Sequence, residues 1–533
     1  MKSKPFSNLA ISLSGGGYRA TSFHLGSLSY LYSIHYDNKP LLHRLKIIST
    51  ISGGTLTGVM YALKLAQGKD FAACFDKLYQ LMSEDKLVDK ALEKLNAPHT
   101  WSNKHKTRDL INAFSEVYND SFYEQATFDT LYTGEPTHLN DAIFGSSEFT
   151  YGKQFRFQGN GYQGKFGNYF LNLPSDASKH IRLADAAAAS SCFPGGFEPM
   201  IMPADFGNGP TGDINKIWKE KCYQTTAIMD GGIIDNQGIE GVKLAENRNS
   251  KDDNDFIGTY IISDVSSQKM EPYPVPILAE HWFKNLFTIR YINITAILSI
   301  IMFVIFLSLS WLSNLALIVG TVVMTFCGMW LLIYALTNHY LRKEISGIFG
   351  RKDSSELIDH LKVINKTPLY ILFYLVKFRA TSVMKMVTDV FLRRIRSLQI
   401  DALYNSKDWV YRIISNNIYG LQANDEMSTK AKKVIQHANT MGTTLWFSIQ
   451  NKNNGMLDDL ITSGQMTICF NLKKYIDEIR SEKNPDAVWT ILSETEQNLI
   501  INLEESLQSD WNKFMNNPYW LLKTMQVPHK TVA

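Results

Sequence analysis

Two stretches near the amino terminus decide the fold: Ile11-Ser-Leu-Ser-Gly-Gly-Gly-Tyr-Arg-Ala20 and, further along, Ile48-Ser-Thr-Ile-Ser-Gly-Gly-Thr55. In the first, a short apolar strand runs into three glycines and then an amphipathic helix. Such a turn leaves several backbone amides unpaired and directed at one point, which suits an oxyanion or a phosphate. In the second, a strand ends at Ser52 and a helix begins. Gly53 and Gly54 permit the sharp turn that lifts a serine hydroxyl out of the backbone.

Four motifs, in this order, resemble the patatin-like phospholipase family and, more distantly, the group IV cytosolic phospholipases. The family's Gly-Gly-Gly-x-Arg loop stands at Gly15 to Arg19, and its Gly-x-Ser-x-Gly motif at Thr50 to Gly54. A small-residue segment stopped by proline stands at Ala186 to Gly195, and an Asp-Gly-Gly motif at Asp230 to Gly232. The resemblance implies an α/β fold, a three-layer patatin-like sheet with helices on both faces, and a lipid acyl hydrolase with a serine and aspartate dyad.

The residue types in these motifs fit acyl transfer. A serine hydroxyl is a poor nucleophile until a base removes its proton, and a buried carboxylate within hydrogen-bond reach can do so without histidine. In this interpretation Ser52 attacks an ester carbonyl and Asp230 takes its proton. The oxyanion is held by backbone amides of the glycine loop, from the set Gly15, Gly16 and Gly17.

Four other residues near the motifs also need an interpretation. The donor fork of Arg19 suits a phosphate head group, or it only braces the loop. Thr50 replaces the glycine that usually precedes the nucleophile by two residues, which predicts slightly wider packing between the strand and the following helix. Ser14 lies in the glycine loop without a following nucleophile turn, so we expect it not to react. His24 is expected to be a packed helix residue.

A long apolar run suggests a membrane. From Tyr291 to Leu341 the chain contains no Asp, Glu, Lys or Arg. Helices over Ile292 to Leu312 and over Leu315 to Leu336 could each span the roughly 30 Å hydrocarbon layer at about 1.5 Å per residue. The sequence therefore predicts a two-helix transmembrane hairpin over residues 291–341. Basic residues on both flanks predict that both lie in the cytoplasm. A buried hairpin or a re-entrant loop is the alternative.

A cluster of three arginines follows the apolar run. Arg393, Arg394 and Arg396 stand within a stretch of helical periodicity. They are interpreted either as a solvated helix face or as contacts to anionic lipid head groups at the cytoplasmic surface.

Composition limits the other possibilities. The chain has 45% hydrophobic residues and a net charge of +3, and this near balance of charge argues against a nucleic-acid-binding protein. The polar segment Met1 to Asn8 has no signal-peptide character, so we expect the catalytic part in the cytoplasm. Five cysteines without CxxC spacing predict neither disulfides nor a zinc site, and no cofactor is expected. The expected partners are a membrane phospholipid substrate and the bilayer; protein partners stay open.

The order of apolar runs predicts the domain organisation. Strand-like runs at Leu9 to Leu13, Leu45 to Ile51, Thr226 to Met229 and Phe256 to Ser263 alternate with helical stretches, which is typical of an α/β sheet. We predict the main part of a patatin-like catalytic domain over residues 7–285 and the hairpin over 291–341. A helical segment with the closing part of the catalytic domain follows over 342–485, and a helical C-terminal extension over 486–533.

Together these features predict a membrane-anchored serine acyl hydrolase that cleaves fatty acyl esters of glycerophospholipids. Two alternatives stay open. One is an esterase for neutral lipids or lysophospholipids, because the dyad does not distinguish head groups. The other is a catalytically inactive, membrane-tethered scaffold with a patatin fold, for which Thr50 in place of glycine is the only indication.

Overall fold

The chain divides into two units, which we call the sheet unit and the inserted unit. The computed structural model describes residues 4–84, 86–159, 166–207, 212–249, 256–267, 285, 287–308, 314–444, 447–481 and 488–526. The sheet unit comprises Met1–Met270 and Val387–Ala533, and the inserted unit comprises Glu271–Met386. The chain of the sheet unit is therefore interrupted once and then resumed.

Twelve strands are formed by the described residues. They are β1 (Leu9–Leu13), β2 (His35–Tyr36), β3 (Lys39–Pro40), β4 (Leu45–Ile51), β5 (Asp141–Glu148), β6 (Lys153–Gly159), β7 (Phe166–Gly167), β8 (Asn172–Leu173), β9 (Met200–Met202), β10 (Thr226–Asp230), β11 (Thr259–Asp264) and β12 (Ile413–Asn417). All except β2 and β3 belong to one sheet, in the order β12-β11-β1-β4-β5-β6-β7-β8, with β10 also paired to β5 and β9 to β10. Strands β12, β11, β1, β4 and β5 are parallel. The predicted α/β fold is confirmed, and the structure shows that its central sheet is mostly parallel.

Twenty α-helices surround or follow these strands in the described parts of the chain. They are α1 (Gly17–Ser33), α2 (Gly53–Ala66), α3 (Phe71–Glu84), α4 (Leu87–Asn96), α5 (Leu110–Val117), α6 (Phe128–Thr133), α7 (Ser175–Ser178), α8 (Leu183–Ser190), α9 (Asp213–Glu220), α10 (Gly232–Asp235), α11 (Ile239–Asn249), α12 (Ile289–Ser308), α13 (Asn314–Ile364), α14 (Leu369–Lys385), α15 (Leu392–Tyr404), α16 (Thr429–Ala438), α17 (Ile449–Asn453), α18 (Met456–Arg480), α19 (Glu494–Asn516) and α20 (Trp520–Gln526).

The parallel strands are buried on both faces, as their continuous apolar runs require. Neighbouring residues of a strand point to opposite faces: Ile11 lies in the larger hydrophobic core, whereas Ala10 lies in a smaller one on the other side. Helices α1 and α18 contribute to the larger core, and Val242 of α11 to the smaller one. The carboxyl ends of β1, β4 and β11 therefore meet at one edge, where loops can bring side chains together.

Helices α1 and α18 pack with unusually close backbones. A Cβ at Gly26 would lie 2.0 Å from the carbonyl oxygen of Ile461, and one at Gly464 would lie 2.1 Å from the carbonyl oxygen of Phe23. Only glycine allows this approach at either position. Helix α1, which follows the glycine loop, is thus packed tightly against α18, which lies after the inserted unit in the chain.

The inserted unit contains α12, α13 and α14. The indole nitrogen of Trp330 donates to Asn293 Oδ1 at 2.9 Å, and the ring of Phe303 lies against Gly320, so α12 and α13 run antiparallel. Among the described residues, one segment, Asn314–Tyr340, is long and apolar enough to cross a membrane, with a mean hydropathy of 2.3 and none of its apolar window buried.

The first predicted span is less complete than the second. The apolar part of α12 is the shorter segment Ile289–Ile305. The expected span over Ile292 to Leu312 runs past Ser308, and residues 309–313 lie outside the described residues. The transmembrane hairpin therefore stays a prediction for the first span, and for the second it rests on length and composition.

Candidate active site

Ser52 stands at the sharp turn between β4 and α2. Its backbone has φ 51° and ψ −121°, a positive φ that is strained for a residue with a side chain and is typical of a nucleophile elbow. The side chain is 7% exposed. The turn therefore presents the hydroxyl at the carboxyl edge of the sheet, as the sequence predicts.

Ser190 supports this turn through hydrogen bonds. Its hydroxyl accepts a hydrogen bond from the Ser52 amide at 2.9 Å and donates to the carbonyl oxygen of Gly145 at 2.7 Å. The Thr55 hydroxyl lies 2.8 Å from Ser190 Oγ. Ser190 ends helix α8, within the proline-terminated segment quoted above. Sequence reasoning used that segment as a motif but gave this residue no role.

Thr50 is accommodated without the wider packing expected from its β-branched side chain. A Cβ at Gly58 of α2 would lie 2.4 Å from Thr50 Cγ2, so the glycine that makes room stands on the helix instead of the strand. The Thr50 hydroxyl donates to Thr55 Oγ1 at 3.1 Å. The strand and the helix after it consequently remain in close contact.

Asp230 ends β10 and lies beside Ser52. Its backbone pairs with Ser146 of β5, and its Oδ1 accepts a hydrogen bond from the Gly232 amide at 2.7 Å. The Ser52 side chain lies close enough to this carboxyl group to favour its charged form. Burial raises the pKa of Asp230 to about 6, against the opposing effects of Gly232, Ser52 and Arg396. The fold thus brings the two predicted dyad residues close together.

The glycine loop offers two free amides rather than three. The Gly15 amide donates to the carbonyl oxygen of Asn236 at 3.0 Å, so the expectation that it helps hold an oxyanion is corrected. The Tyr18 amide donates to Thr444 at 2.7 Å. No described residue accepts a hydrogen bond from the amide of Gly16 or Gly17, and Gly16 caps α1 without a side-chain partner.

The amino ends of α1 and α2 meet at this loop. A Cβ at Gly53 would lie 2.1 Å from the carbonyl oxygen of Gly17, which places the two backbones in contact. Each helix start carries partial positive charge from its unpaired amides. The arrangement favours a negative charge between them.

Arg19 braces the glycine loop. Its Nη1 donates to the carbonyl oxygen of Met441 at 2.9 Å and lies 3.5 Å from the Tyr419 hydroxyl, and its Nη2 donates to Thr443 Oγ1 at 3.2 Å. Three of its five N–H donors are therefore directed at residues 419–443. Of the two interpretations drawn from sequence, these contacts favour bracing.

His24 and Ser14 have structural partners. The His24 Nε2 lies 3.0 Å from the Ser14 carbonyl oxygen, which can only accept, so Nδ1 accepts from the Ser263 hydroxyl at 2.9 Å. Burial lowers the pKa of His24 to about 4. The imidazole is therefore neutral, and it ties the glycine loop to β11. The Ser14 hydroxyl is buried and accepts from the Val265 amide at 3.1 Å.

Two residues at this edge were not assigned to it from the sequence. In the amide orientation that its neighbours require, Asn236 Oδ1 accepts from Arg396 Nε at 3.2 Å and Nη2 at 2.9 Å. Asn236 itself lies against Gly15 and Gly232. Arg396 was interpreted as part of a surface cluster, and nothing in its local sequence indicates that α15 packs at the catalytic edge.

Comparison with known proteins identifies the domain that contains this site. Residues 11–243 match the family described as patatin-like phospholipase, so the chain carries a patatin-like phospholipase domain over that range. The predicted family resemblance is confirmed, and the match includes Ser52, Asp230 and the glycine loop. No curated protein is significantly similar to the chain.

Proposed function

We propose that this patatin-like phospholipase domain is a serine acyl hydrolase whose nucleophile is Ser52 and whose base is Asp230. Membership of the domain in the family supports lipid acyl hydrolase activity in general. One observation carries the assignment of residues: Ser52 adopts the strained elbow conformation beside the buried Asp230 carboxyl group, close enough for its side chain to lower the pKa of that group. Structural serines rarely combine backbone strain with a carboxylate whose pKa is raised.

The reaction follows from these contacts. Ser52 Oγ attacks the ester carbonyl carbon while Asp230 accepts the hydroxyl proton. The resulting oxyanion is stabilised by the free amides of Gly16 and Gly17 and by the two helix starts. Asp230 then returns the proton to the leaving alkoxide as the C–O bond breaks. In the second half, a water molecule gives its proton to Asp230 as it attacks the acyl-enzyme carbonyl carbon. The bond from that carbon to Ser52 Oγ then breaks, Asp230 returns the proton to Ser52, and the fatty acid is released.

The proposed substrate is a glycerophospholipid at a membrane surface. The family name supports a phospholipid, and the apolar segment Asn314–Tyr340 supports attachment to a bilayer. We propose that the hairpin over 291–341 anchors the enzyme and that its catalytic domain, interrupted by the hairpin, lies in the cytoplasm.

Active-site labelling and product analysis test this function together. The detergent-purified protein is treated with a fluorophosphonate probe, and fatty acid release from mixed phospholipid vesicles is measured by mass spectrometry. We expect Ser52→Ala to abolish labelling and release, and Asp230→Asn to lower both by at least about 100-fold. Ser49→Ala is the matched control because its buried hydroxyl has no hydrogen-bond partner among the described residues.

The substrates distinguish the alternatives. Faster turnover of triacylglycerol or lysolipid than of diacyl phospholipid would replace the proposed substrate but keep the dyad. Fatty acid release that survives in Ser52→Ala would refute the dyad itself. A wild-type protein that neither reacts with the probe nor releases fatty acid would favour the scaffold.

A further inference from the structure

Helix α15 reaches the catalytic edge from the part of the chain that follows the inserted unit. The chain resumes the sheet unit at Val387, and α15 begins five residues later. Gln399 Nε2 donates to the carbonyl oxygen of Ile234 at 3.2 Å, so α15 packs on α10, the short helix immediately after Asp230. A helix far along the chain is thereby fixed beside the proposed base.

Arg396 is separated from the nucleophile by a single side chain. Its Nε and Nη2 donate to Asn236 Oδ1. A Cβ placed on Gly15 would lie 2.7 Å from the Asn236 side chain and 3.1 Å from Ser52 Cβ. These distances place the Asn236 and Ser52 side chains next to the same glycine. Two hydrogen bonds to Asn236 thus fix the orientation of the Arg396 guanidinium beside the nucleophile turn.

The Arg396 guanidinium retains binding capacity. Its side chain is partly exposed, and among the described residues its Nη1 has no hydrogen-bond partner. Its charge is balanced in part by Asp264 at the end of β11, which already accepts hydrogen bonds from Gln237 at 2.8 Å and from the Ser266 amide at 2.9 Å. An acceptor that approaches from solvent would meet a charged donor that is already oriented.

The other arginine near the site is less available. Three donors of Arg19 already meet Met441, Thr443 and Tyr419. Arg19 still adds positive charge, because it lies close enough to Arg396 to lower the pKa of the Arg396 guanidinium. Three donors of Arg19 are therefore already used within the loop, whereas Nη1 of Arg396 has no hydrogen-bond partner among the described residues.

We propose that Arg396 recognises the substrate's head group by binding a phosphodiester oxygen while the ester carbonyl sits at Ser52. The proposal rests on the proposed function and makes it more specific. A glycerophospholipid carries its phosphate a few bonds from its ester carbonyls, and Arg396 stands one side chain from the nucleophile. Arginine binds phosphate oxygens with strong, oriented, charge-assisted hydrogen bonds. The enzyme is therefore selective for lipids with a phosphate over neutral esters of the same chain length.

Turnover of two matched substrates tests this selectivity. Phosphatidylcholine and diacylglycerol with the same acyl chains are presented in the same detergent micelles, and kcat/KM is measured for each. We expect Arg396→Ala to lower kcat/KM about 10- to 100-fold for the phospholipid, mainly through KM, and much less for diacylglycerol. Arg396→Lys should recover part of the loss. Arg394→Ala is the matched control, because Arg394 is exposed on the same helix.

Equal losses on both substrates would overturn the proposal and make Arg396 a positioning residue for the dyad. The absence of any loss would also overturn it. The rate of fluorophosphonate labelling and the thermal unfolding midpoint show whether Arg396→Ala retains an intact site.

A binding measurement separates this proposal from the proposed function. Ser52→Ala protein is titrated with a dialkyl ether analogue of phosphatidylcholine, which cannot be hydrolysed, and with the corresponding ether of diacylglycerol. Binding of the phosphate analogue should weaken about 10- to 100-fold when Arg396→Ala is added, and should not change with Arg394→Ala. Unchanged affinity would refute head-group recognition whether or not the chain hydrolyses lipids. Failure of catalysis alone would count only against the dyad.

Discussion

At the scale of single residues, the elbow depends on a short chain of hydroxyl groups. Thr50 donates to Thr55, and the Thr55 hydroxyl lies beside Ser190, which accepts from the Ser52 amide. Each link is buried, so an unpaired member would leave a polar group without a partner. The strained conformation of Ser52 is held in place by this chain.

Thr50 stands on the strand where the motif usually has glycine, and Gly58 on α2 makes room for its side chain. This contact can be tested by substitution. In Gly58→Ala the new methyl group would lie 2.4 Å from Thr50 Cγ2. We expect a loss of about 1 to 3 kcal/mol in the free energy of unfolding, measured by urea denaturation of the detergent-solubilised protein. Thr50→Ser removes the opposing methyl and keeps the hydroxyl, so the double variant should recover most of that loss. If the two effects simply add, the two positions are not in the contact described.

The protonation of Asp230 predicts a pH dependence. Only the ionised carboxylate can accept the Ser52 proton, and burial raises the pKa of Asp230 to about 6. The groups that act on it are the Gly232 amide, the Ser52 side chain and Arg396. We expect kcat/KM for a soluble neutral ester to fall about tenfold per pH unit below 6 and to level off above about pH 7. A flat profile between pH 4.5 and 7 would exclude this carboxylate as the base.

At the scale of elements, a buried ion network sets the position of α8, the helix that ends at Ser190. Asp185 in its first turn accepts from Lys106 Nζ at 2.7 Å and from Arg182 Nη2 at 2.7 Å. Arg182 Nη1 also pairs with Glu116 of α5 at 2.8 Å. Two helices and the loop before α5 are therefore joined where the side chains of Lys106 and Asp185 are almost completely buried.

Removal of one charge from this network should destabilise the folded protein strongly. In Asp185→Asn, buried Lys106 loses its counter-charge, and we expect a loss of about 3 to 5 kcal/mol in the free energy of unfolding at pH 7. Burial alone would raise the pKa of Asp185, but Arg182 and Lys106 lower it to about 2. This stabilisation is therefore complete above the pKa of the unfolded carboxyl, about 3.9, and is lost as pH falls through 2.

The loss of unfolding free energy caused by Asp185→Asn should therefore depend on pH in the same way. The difference in unfolding free energy is expected to shrink below pH 4. Asp176→Asn is the matched control, because Asp176 is highly exposed and 3.9 Å from Lys179, and it should have no measurable effect. A difference that persists undiminished near pH 2 would mean that charge is not what Asp185 contributes.

The elements also show what could be predicted from sequence. Strands β1, β4 and β10 follow from apolar runs, and Ser52 and Asp230 from glycine-rich turns at their ends. These signals are local. The free amides of the glycine loop could not be counted, because the Gly15 amide is paired with Asn236, which is remote in sequence. Arg396 was misplaced for the same reason: its position depends on the packing of α15 on α10, which has no local signature.

At the scale of the whole molecule, the sheet limits how the chain can cross a membrane. Strand β11 precedes the inserted unit and β12 follows it, yet the two pair in parallel from Tyr260 to Asp264. Both flanks of the insertion are thus parts of one sheet and must lie on the same side of any bilayer. The inserted unit must therefore cross any bilayer an even number of times. If Asn314–Tyr340 crosses the bilayer, a second segment must return, and the antiparallel α12 is the candidate.

Site-directed labelling can determine this topology. Cys222 is exposed in the part of the sheet unit before the insertion, and Asp425→Cys introduces a probe in the exposed part after it. Asn314→Cys marks the start of α13. Each is tested as the single accessible cysteine in sealed vesicles treated with a membrane-impermeant maleimide, with Cys327→Ser in all three proteins and Cys222→Ser in the latter two. We expect the probes at 222 and 425 to react from one side and the probe at 314 only from the other.

Labelling of all three probes from one side would show that α12 and α13 do not cross the membrane. Labelling of 222 and 425 from opposite sides would contradict the pairing of β11 with β12.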